Sequence, residues 1–342
     1  MLQLSGGTGG RGKVRKRAAT VAALVGLGLA SGSLSAFGAL TPDPVPNVYA
    51  GAYALFYNGA FAGPIHALSG CTPDIPITRV TQTNPNGSTT TRAVAGPSSF
   101  APCQLEIGLG MSQRFRDAVT SALKETPKGS ADVAIARLND TGTAVASELE
   151  LRGYVSDVTL PTMHIRSESD PSWLRVELVS QDGKATKVTN PLRRTLGSMQ
   201  DDPIEAGRPG FATLTGVDPA GLVEADPVAI TRADATQRIP GVPTTVLPGR
   251  LDVASPRLGV AEGSKTVGQL SSWFDAQLTG KGASRKDLSI SYRSVSGANL
   301  FQVTLSGFPA HFDPYERTNG QRVLEVGVDP TVKPSWGASS PG

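Results

Sequence analysis

The sequence predicts a mainly β protein of two tandem β-sandwich or barrel domains, each with one amphipathic helix. Three observations carry this. Short blocks alternate apolar and polar residues, the period-2 pattern of a half-buried strand: Ala131–Ile135, Leu149–Tyr154 and Trp173–Val179. A similar series returns near the C-terminus as Lys286–Ile290, Val303–Phe308 and Val323–Val328. The 39 glycines and 26 prolines among 342 residues are many for a helical chain and suit short strands between turns.

The elements follow in order. Thr41–Asn47 holds three prolines and reads as an extended tether. Tyr53–Tyr57 and Ala60–Ala62 flank Asn58-Gly59, a pair that supplies both positive φ angles of a type I′ hairpin turn. Asp74–Val80 reads as a strand. Asn84–Pro102 is rich in Thr, Ser, Pro, Gly and Asn, and reads as a long loop or hairpin tip. Leu105, Ile107 and Leu109 alternate again. The period then changes: Met111, Phe115, Ala118, Val119, Ala122 and Leu123 recur at helical spacing, with Ser112 as N-cap and an end before Pro127. Strands follow to Val179, and residues 191–210 form an aperiodic linker that closes a first domain of residues 40–190.

The second domain, residues 211–330, repeats this order. Gly221–Thr231 reads as strand, Pro240–Pro256 as a Pro-rich loop, and Val267, Leu270, Trp273, Phe274, Gln277 and Leu278 as a second lone helix. Strands follow to Val328, and residues 331–342 read as a flexible tail. Identities recur at similar offsets. Ile77-Thr78-Arg79 matches Ile230-Thr231-Arg232 at 153, Asp117-Ala118 matches Asp275-Ala276 at 158, and Asp132 matches Asp287 at 155. Gly153 matches Gly307 at 154, and Glu177 matches Glu325 at 148. The sequence thus predicts a tandem duplication.

Residues 1–39 carry Arg11, Lys13, Arg15, Lys16 and Arg17 and no acid. Removing these five charges from the formal +3 leaves −2 for the remainder. The body offers no basic stripe, so charge gives no expectation of nucleic-acid binding. The basic region, the apolar Ala18–Ala30 and the small residues at Ala36-Phe37-Gly38 read as a cleaved export signal. The rivals are an uncleaved membrane anchor over residues 18–40 and a disordered arm. An exported chain favours pairing of its two cysteines, Cys71 and Cys103; two buried thiols are the alternative.

No catalytic constellation stands out. Gly7–Lys13 nearly spells a phosphate loop, but Val14 stands where Ser or Thr is needed and no strand precedes it. His66, His164 and His311 lie near no Ser or Cys in a nucleophile pattern, and His164 and His311 read as falling in corresponding turns of the repeats. Glu168 with Asp170, and Asp313 with Glu316, flank prolines and read as turn residues. Trp173, Trp273 and Trp336 are too scattered for a sugar platform. No metal and no cofactor is expected.

The order of a hairpin, a lone helix after Leu105-Glu106-Ile107, and paired strands resembles the tail tube proteins of contractile phage tails and related injection systems. Ile135–Gly142 looks like that family's charged strand, Leu151–Ser156 like its turn, and Val176–Val179 like its closing strand. In the second repeat, Leu305–Ala310 and Leu324–Val326 look like the turn and the end. The resemblance implies β domains of tail-tube type that join edge to edge into rings, here a pseudo-hexamer with two domains per chain. It implies a structural, self-associating protein that is no enzyme, with itself and other tail or envelope components as partners. With the leader, the expectation is an exported or envelope-associated protein. A secreted ligand-binding or adhesive β-module is the alternative. A hydrolase is a third, if a deep pocket gathers His164 with Asp157 or Glu168.

Overall fold

The computed structural model describes residues 53–337, apart from 76, 97–98, 125–128, 140–143, 165–171, 190–207, 238–244, 281, 283, 295 and 319–320. The leader, the Gly7–Lys13 stretch, the tether and most of the expected linker lie outside the described residues.

In the first half, β1 (Tyr53–Tyr57) and β2 (Ala60–Gly70) form the opening hairpin. An arm follows, made of β3 (Pro73–Asp74), β4 (Ile77–Thr83), β5 (Thr89–Ala95) and β6 (Ser99–Phe100). Then come β7 (Cys103–Ile107), helix α1 (Gln113–Ala122), β8 (Ala131–Leu138), β9 (Val145–Leu160), β10 (Met163–His164), β11 (Leu174–Ser180) and β12 (Thr186–Thr189). The second half opens with β13 (Arg208–Leu214) and β14 (Leu222–Ala225). A long hairpin follows: β15 (Val228–Arg232), β16 (Ala235–Gln237), β17 (Thr245–Leu247) and β18 (Leu251–Val253). Next are β19 (Arg257–Ala261), α2 (Lys265–Leu278), β20 (Lys286–Arg293), β21 (Asn299–Thr318) and β22 (Gln321–Trp336).

The predicted mainly β fold with one helix per half is the one observed. In the first half β1, β2, β7, β11, β9 and β8 pair in that cyclic order, and the β8–β1 ladder closes a barrel. In the second half β14, β19, β22, β21, β20 and β13 follow the same order along the chain, with no ladder between β13 and β14. Each strand of the first barrel therefore has a counterpart in the second, and five of its six ladders recur there, the β1–β2 ladder being the one without an equivalent.

Local chemistry explains the elements. Asn58 and Gly59 take φ of 49° and 74°, as the turn requires, and bring Tyr57 opposite Ala60. Strand β1 lacks alternation because both its faces are covered. Leu55 and Tyr57 enter the main core, whereas Ala54 and Phe56 join Ala134, Ala136 and Leu138 in a small cluster of their own. Helix α1 starts at the predicted N-cap Ser112, although its hydroxyl makes no capping bond. Phe115, Val119, Ala122 and Leu123 are the buried face.

The matched glycines occupy one structural place. Gly153 lies between Ala131 of β8 and Ser180 of β11. Gly307 lies between Lys286 of β20 and Val328 of β22. A Cβ at Gly153 would fall 2.3 Å from the Val179 carbonyl oxygen, and one at Gly307 2.3 Å from that of Gly327. Here the long strand leaves one neighbour and turns across the core, and only glycine lets the backbones approach. Glu177 and Glu325 also correspond: one faces Gln104 and Asp157, the other Arg257 and His311. The matched Ile-Thr-Arg tripeptides differ, for Ile77–Arg79 lies in exposed β4 and Ile230–Arg232 in packed β15.

Two expectations are corrected. Of the flexible tail expected over residues 331–342, the part up to Trp336 is the end of β22, and residues 338–342 lie outside the described residues. Its prolines misled because past Val326 the strand pairs β21 alone among the described residues, and an open side tolerates a missing N–H. Trp336 anchors that end on Phe301, 4.2 Å between ring centres. The linker expected to reach residue 210 gives way to β13 at Arg208, which pairs with Arg293.

The barrels also exchange strands. β10, from the first half, pairs with β14. β15, from the second, pairs with β9 and carries β18 with it. One hydrophobic cluster includes Leu105, Phe115 and Val176 together with Leu258, Leu288 and Phe301.

Gly153→Ala and Gly307→Ala should each cost about 1–3 kcal/mol, the scale of an overpacked core site. Urea unfolding of the two variants checks this; a loss at one position alone would contradict their structural equivalence.

Candidate assembly surfaces

The first surface is already occupied, because it joins the two halves. Strand β8 leaves β9 at Gly153, and β15 takes its side further on, pairing Val228, Ala229 and Ile230 with Leu160, Thr159 and Val158. Burying Ile230 between β9 and the core fixes the register, since a one-residue slip would turn it to the wrong face. Two residues on, the Arg232 backbone N–H donates to Asp157 Oδ1 at 2.9 Å. Its guanidinium, 7% exposed, donates from Nη1 to the Gly249 carbonyl at 3.1 Å and from Nη2 to the Ala122 carbonyl at 2.7 Å and to that of Lys124. Ala122 and Lys124 end helix α1, where carbonyls lack helical partners and the dipole favours a cation. An arginine of the second half thus caps the first half's helix.

Other long-range ties accompany it. Trp336 Nε1 donates to Thr120 Oγ1 on α1 at 2.9 Å, and the Arg116 guanidinium lies 5.3 Å over the Trp336 ring. The Tyr292 hydroxyl donates to the Pro161 carbonyl at 2.6 Å.

Half-buried acids surround Arg232. Burial pushes Asp157 above its ordinary value, with the Asp234 charge adding to the rise. Burial likewise raises Asp234, which accepts from the Gly249 N–H at 3.3 Å. Glu177 is raised by burial and by Asp157, while Ser156 donates to its Oε1 at 3.3 Å. The Tyr154 hydroxyl, buried beside Asp234, is pushed up by both. Arg232 is lowered by burial, a shift these anions oppose.

The second surface is the arm. Cys71 and Cys103 form a disulfide with Cα atoms 4.5 Å apart and a sequence separation of 32. The bond closes the base of the arm. Cys71 N–H donates to the Pro102 carbonyl at 3.2 Å, and Ala101 N–H to that of Thr72 at 2.8 Å. Gly70 and Cys71 both take positive φ, and a Cβ at Gly70 would meet the Pro102 oxygen, so the turn into the arm requires glycine there. Closing this loop contributes about 3–4 kcal/mol in the chain-entropy picture. Beyond the clamp, β4 and β5 pair from Ile77↔Ala95 to Thr83↔Thr89, and every residue of both strands is exposed. Ile75, Ile77, Val80 and Val94 are among the exposed large apolar side chains. Arg79 and Arg92 are the arm's charges between Ile77 and Ala95, with no acid among them. A hairpin with both faces in water is marginal by itself.

The other residues weighed from sequence are scattered. The His66 ring stacks on Trp173 at 4.1 Å. His164 pairs with Glu224 in the β10–β14 ladder, and His311 faces Glu325 on β21. These two histidines do not correspond: the ladders place Asp157, not His164, opposite the counterpart of Glu325. Glu168 and Asp170 lie outside the described residues, and the side chains of Asp313 and Glu316 are likewise not described. Trp273 packs in the core and donates to the Ser284 carbonyl at 2.8 Å. A groove of about 480 Å³ over β8, β9 and β12 is lined by Asp132, Glu150, Arg152, Asp182 and Lys184, and no histidine lines it. Among the described residues no group of three or more His, Cys, Asp or Glu is placed to hold a metal ion, and no helix is long and apolar enough to cross a membrane. Sequence reasoning singled out Arg232 only as one member of a repeated tripeptide. Its role is invisible without the α1–β15 contact.

No family model matches the chain, and no curated protein matches it. Solved structures do. The sheath/tube terminator of an extracellular contractile injection system in its extended state is 18% identical, with 40% of this chain and 91% of that one covered and a TM-score of 0.31. The tube-terminating cap of the anti-feeding prophage is 16% identical over 44% of this chain and 99% of that one, at 0.32. A chain of the sheath–tube complex of an extracellular contractile injection system is 18% identical over 44% and 94%, also at 0.32. At such TM-scores the likeness assigns no role.

Burial raises Asp157, Asp234 and Glu177 in the folded chain, so folding retains protons that the unfolded chain has released. The stability tied to these groups is full below their unfolded values and falls as pH rises through the folded ones. Asp157→Asn keeps an acceptor for the Arg232 N–H and removes the charge. Its stability relative to the unsubstituted chain should therefore rise between about pH 4 and about pH 7. A difference in urea midpoint that stays constant over that range would contradict the assignment.

Proposed function

We propose that this chain is a structural, self-associating protein of tail-tube type, built by duplication of one barrel and exported from the cell. The observation that carries the reading is the disulfide-clamped arm: a hairpin exposed on both faces and held rigid at its base. Preorganisation lowers the ordering cost of docking, and unpaired strand edges offer ready backbone hydrogen bonds. The equal order of strands in the two barrels and the shared place of Gly153 and Gly307 support duplication. Two barrels per chain suit a ring of pseudo-equivalent units, a pseudo-hexamer, that meets other tail or envelope components. Export is supported by the basic-then-apolar leader and by the disulfide, which belongs to oxidising compartments.

Sedimentation of the purified chain over a wide concentration range, with negative-stain imaging of the same samples, tests this. The reading expects mass to rise to a discrete multiple and ring-shaped particles to appear. A strict monomer at the highest concentration would overturn it.

A further inference from the structure

Each barrel carries a hairpin between its second and third strands. In the second barrel this hairpin, β15 to β18, reaches over and seats on the first. It adds a strand to β9 past Gly153, and Arg232 caps the last turn of α1. In the first barrel the corresponding hairpin is the arm. β3 pairs with β6 as β15 pairs with β18, and β4 pairs with β5 as β16 pairs with β17. The arm carries the same Ile-Thr-Arg tripeptide, further out from its base. Ile230 is 1% exposed in its seat, whereas Ile77 is 63% exposed.

The second barrel has the matching seat. β20 leaves β21 at Gly307, as β8 leaves β9 at Gly153, and among the described residues no strand takes its side further on. The ladders place Phe312 where the first barrel has Val158, the partner of Ile230. The nearby helix end is uncovered as well. Leu123, at the capped end of α1, is 0% exposed, whereas Leu278, at the end of α2, is 69% exposed. Thr279 and Gly280 satisfy carbonyls of Asp275 and Gln277, but among the described residues no arginine bond of the Arg232 kind is found at this helix end.

We propose that the arm of one chain docks on the second barrel of another copy of this chain. It adds β4 along β21 past Gly307, with Ile77 and Leu278 packing together and Arg79 at the carbonyls that end α2. The contact is the trans counterpart of the one that β15–β18 makes within the chain. Its occupant is therefore a second copy, and the contact is head-to-tail, each copy giving an arm and receiving one. This rests on the self-association reading and adds its geometry.

Mixing complementary variants of the full chain tests it. An arm variant carries Ile77→Asp and Arg79→Glu; a seat variant carries Leu278→Asp. All three positions are exposed, so both variants should melt with the unsubstituted chain, which circular dichroism checks. Each variant alone should self-associate about 100-fold more weakly, the scale of losing an apolar anchor with an arginine. Mixed in equal amounts, they should form one-to-one dimers that grow no further, because one has an intact seat and the other an intact arm. If the unsubstituted chain assembles and both variants assemble equally well, this docking is wrong while self-association stands. Loss of assembly with no dimer on mixing would also overturn the head-to-tail geometry. A monomeric unsubstituted chain would remove both.

Discussion

The fold turns on a cation at the end of a helix. Helix α1 leaves the carbonyls of Ala122 and Lys124 without helical partners, and the Arg232 guanidinium of the other half fills that place. Such groups are costly when buried unsatisfied, and a buried guanidinium is costlier still without partners. Each therefore requires the other. The demand is met only when β15 lies along β9, since the register that puts Ile230 opposite Val158 also brings Arg232 to the helix. Trp336 holds the same helix through Thr120 and Arg116. The second half thus completes the first half's core.

The acids around this seam carry a cost. Asp157, Asp234 and Glu177 crowd one half-buried region, and all are raised by burial. Replacing such a group by an apolar one often stabilises a protein, so the network is weak evidence for stability by itself. It does fix one arrangement. Asp157 holds the Arg232 backbone, and Asp234 holds the Gly249 N–H whose carbonyl in turn accepts from Arg232. A β15 shifted by one residue along β9 would lose the Asp157 bond and take the Arg232 guanidinium away from the carbonyls that end α1.

Much of the architecture was legible in the residues. Alternation marked β8, β9, β11 and β20 to β22, although β8 buries both faces, one in the main core and one in the small cluster with β1. Helical spacing marked α1 and α2, and Asn58-Gly59 marked the first turn. The glycine and glutamate matches lay at corresponding ladder positions because backbone crowding and strand pairing constrain them in each barrel. Other features had no local signal. The exchange of β10 and β15 between sheets is a long-range choice that period-2 patterning leaves open. The end of β22 was hidden by its prolines, which read as breakers until one side of the strand was known to be unpaired. The candidate surfaces were least legible. The arm's Thr-rich residues read as a long loop or a hairpin tip, and the sequence offers nothing local to distinguish a hairpin in water from one in a groove. Arg232 and Arg79 look alike in sequence, and only the structure separates a helix cap from an exposed arm.

The central claim is that the two barrels fold as one body through the α1–β15 seam. Differential scanning calorimetry of the disulfide-bonded chain tests it most directly, by comparing the calorimetric enthalpy with that from the shape of the transition. A single transition with equal enthalpies is the predicted result. Two separable transitions, left unchanged by Arg232→Ala, would contradict it.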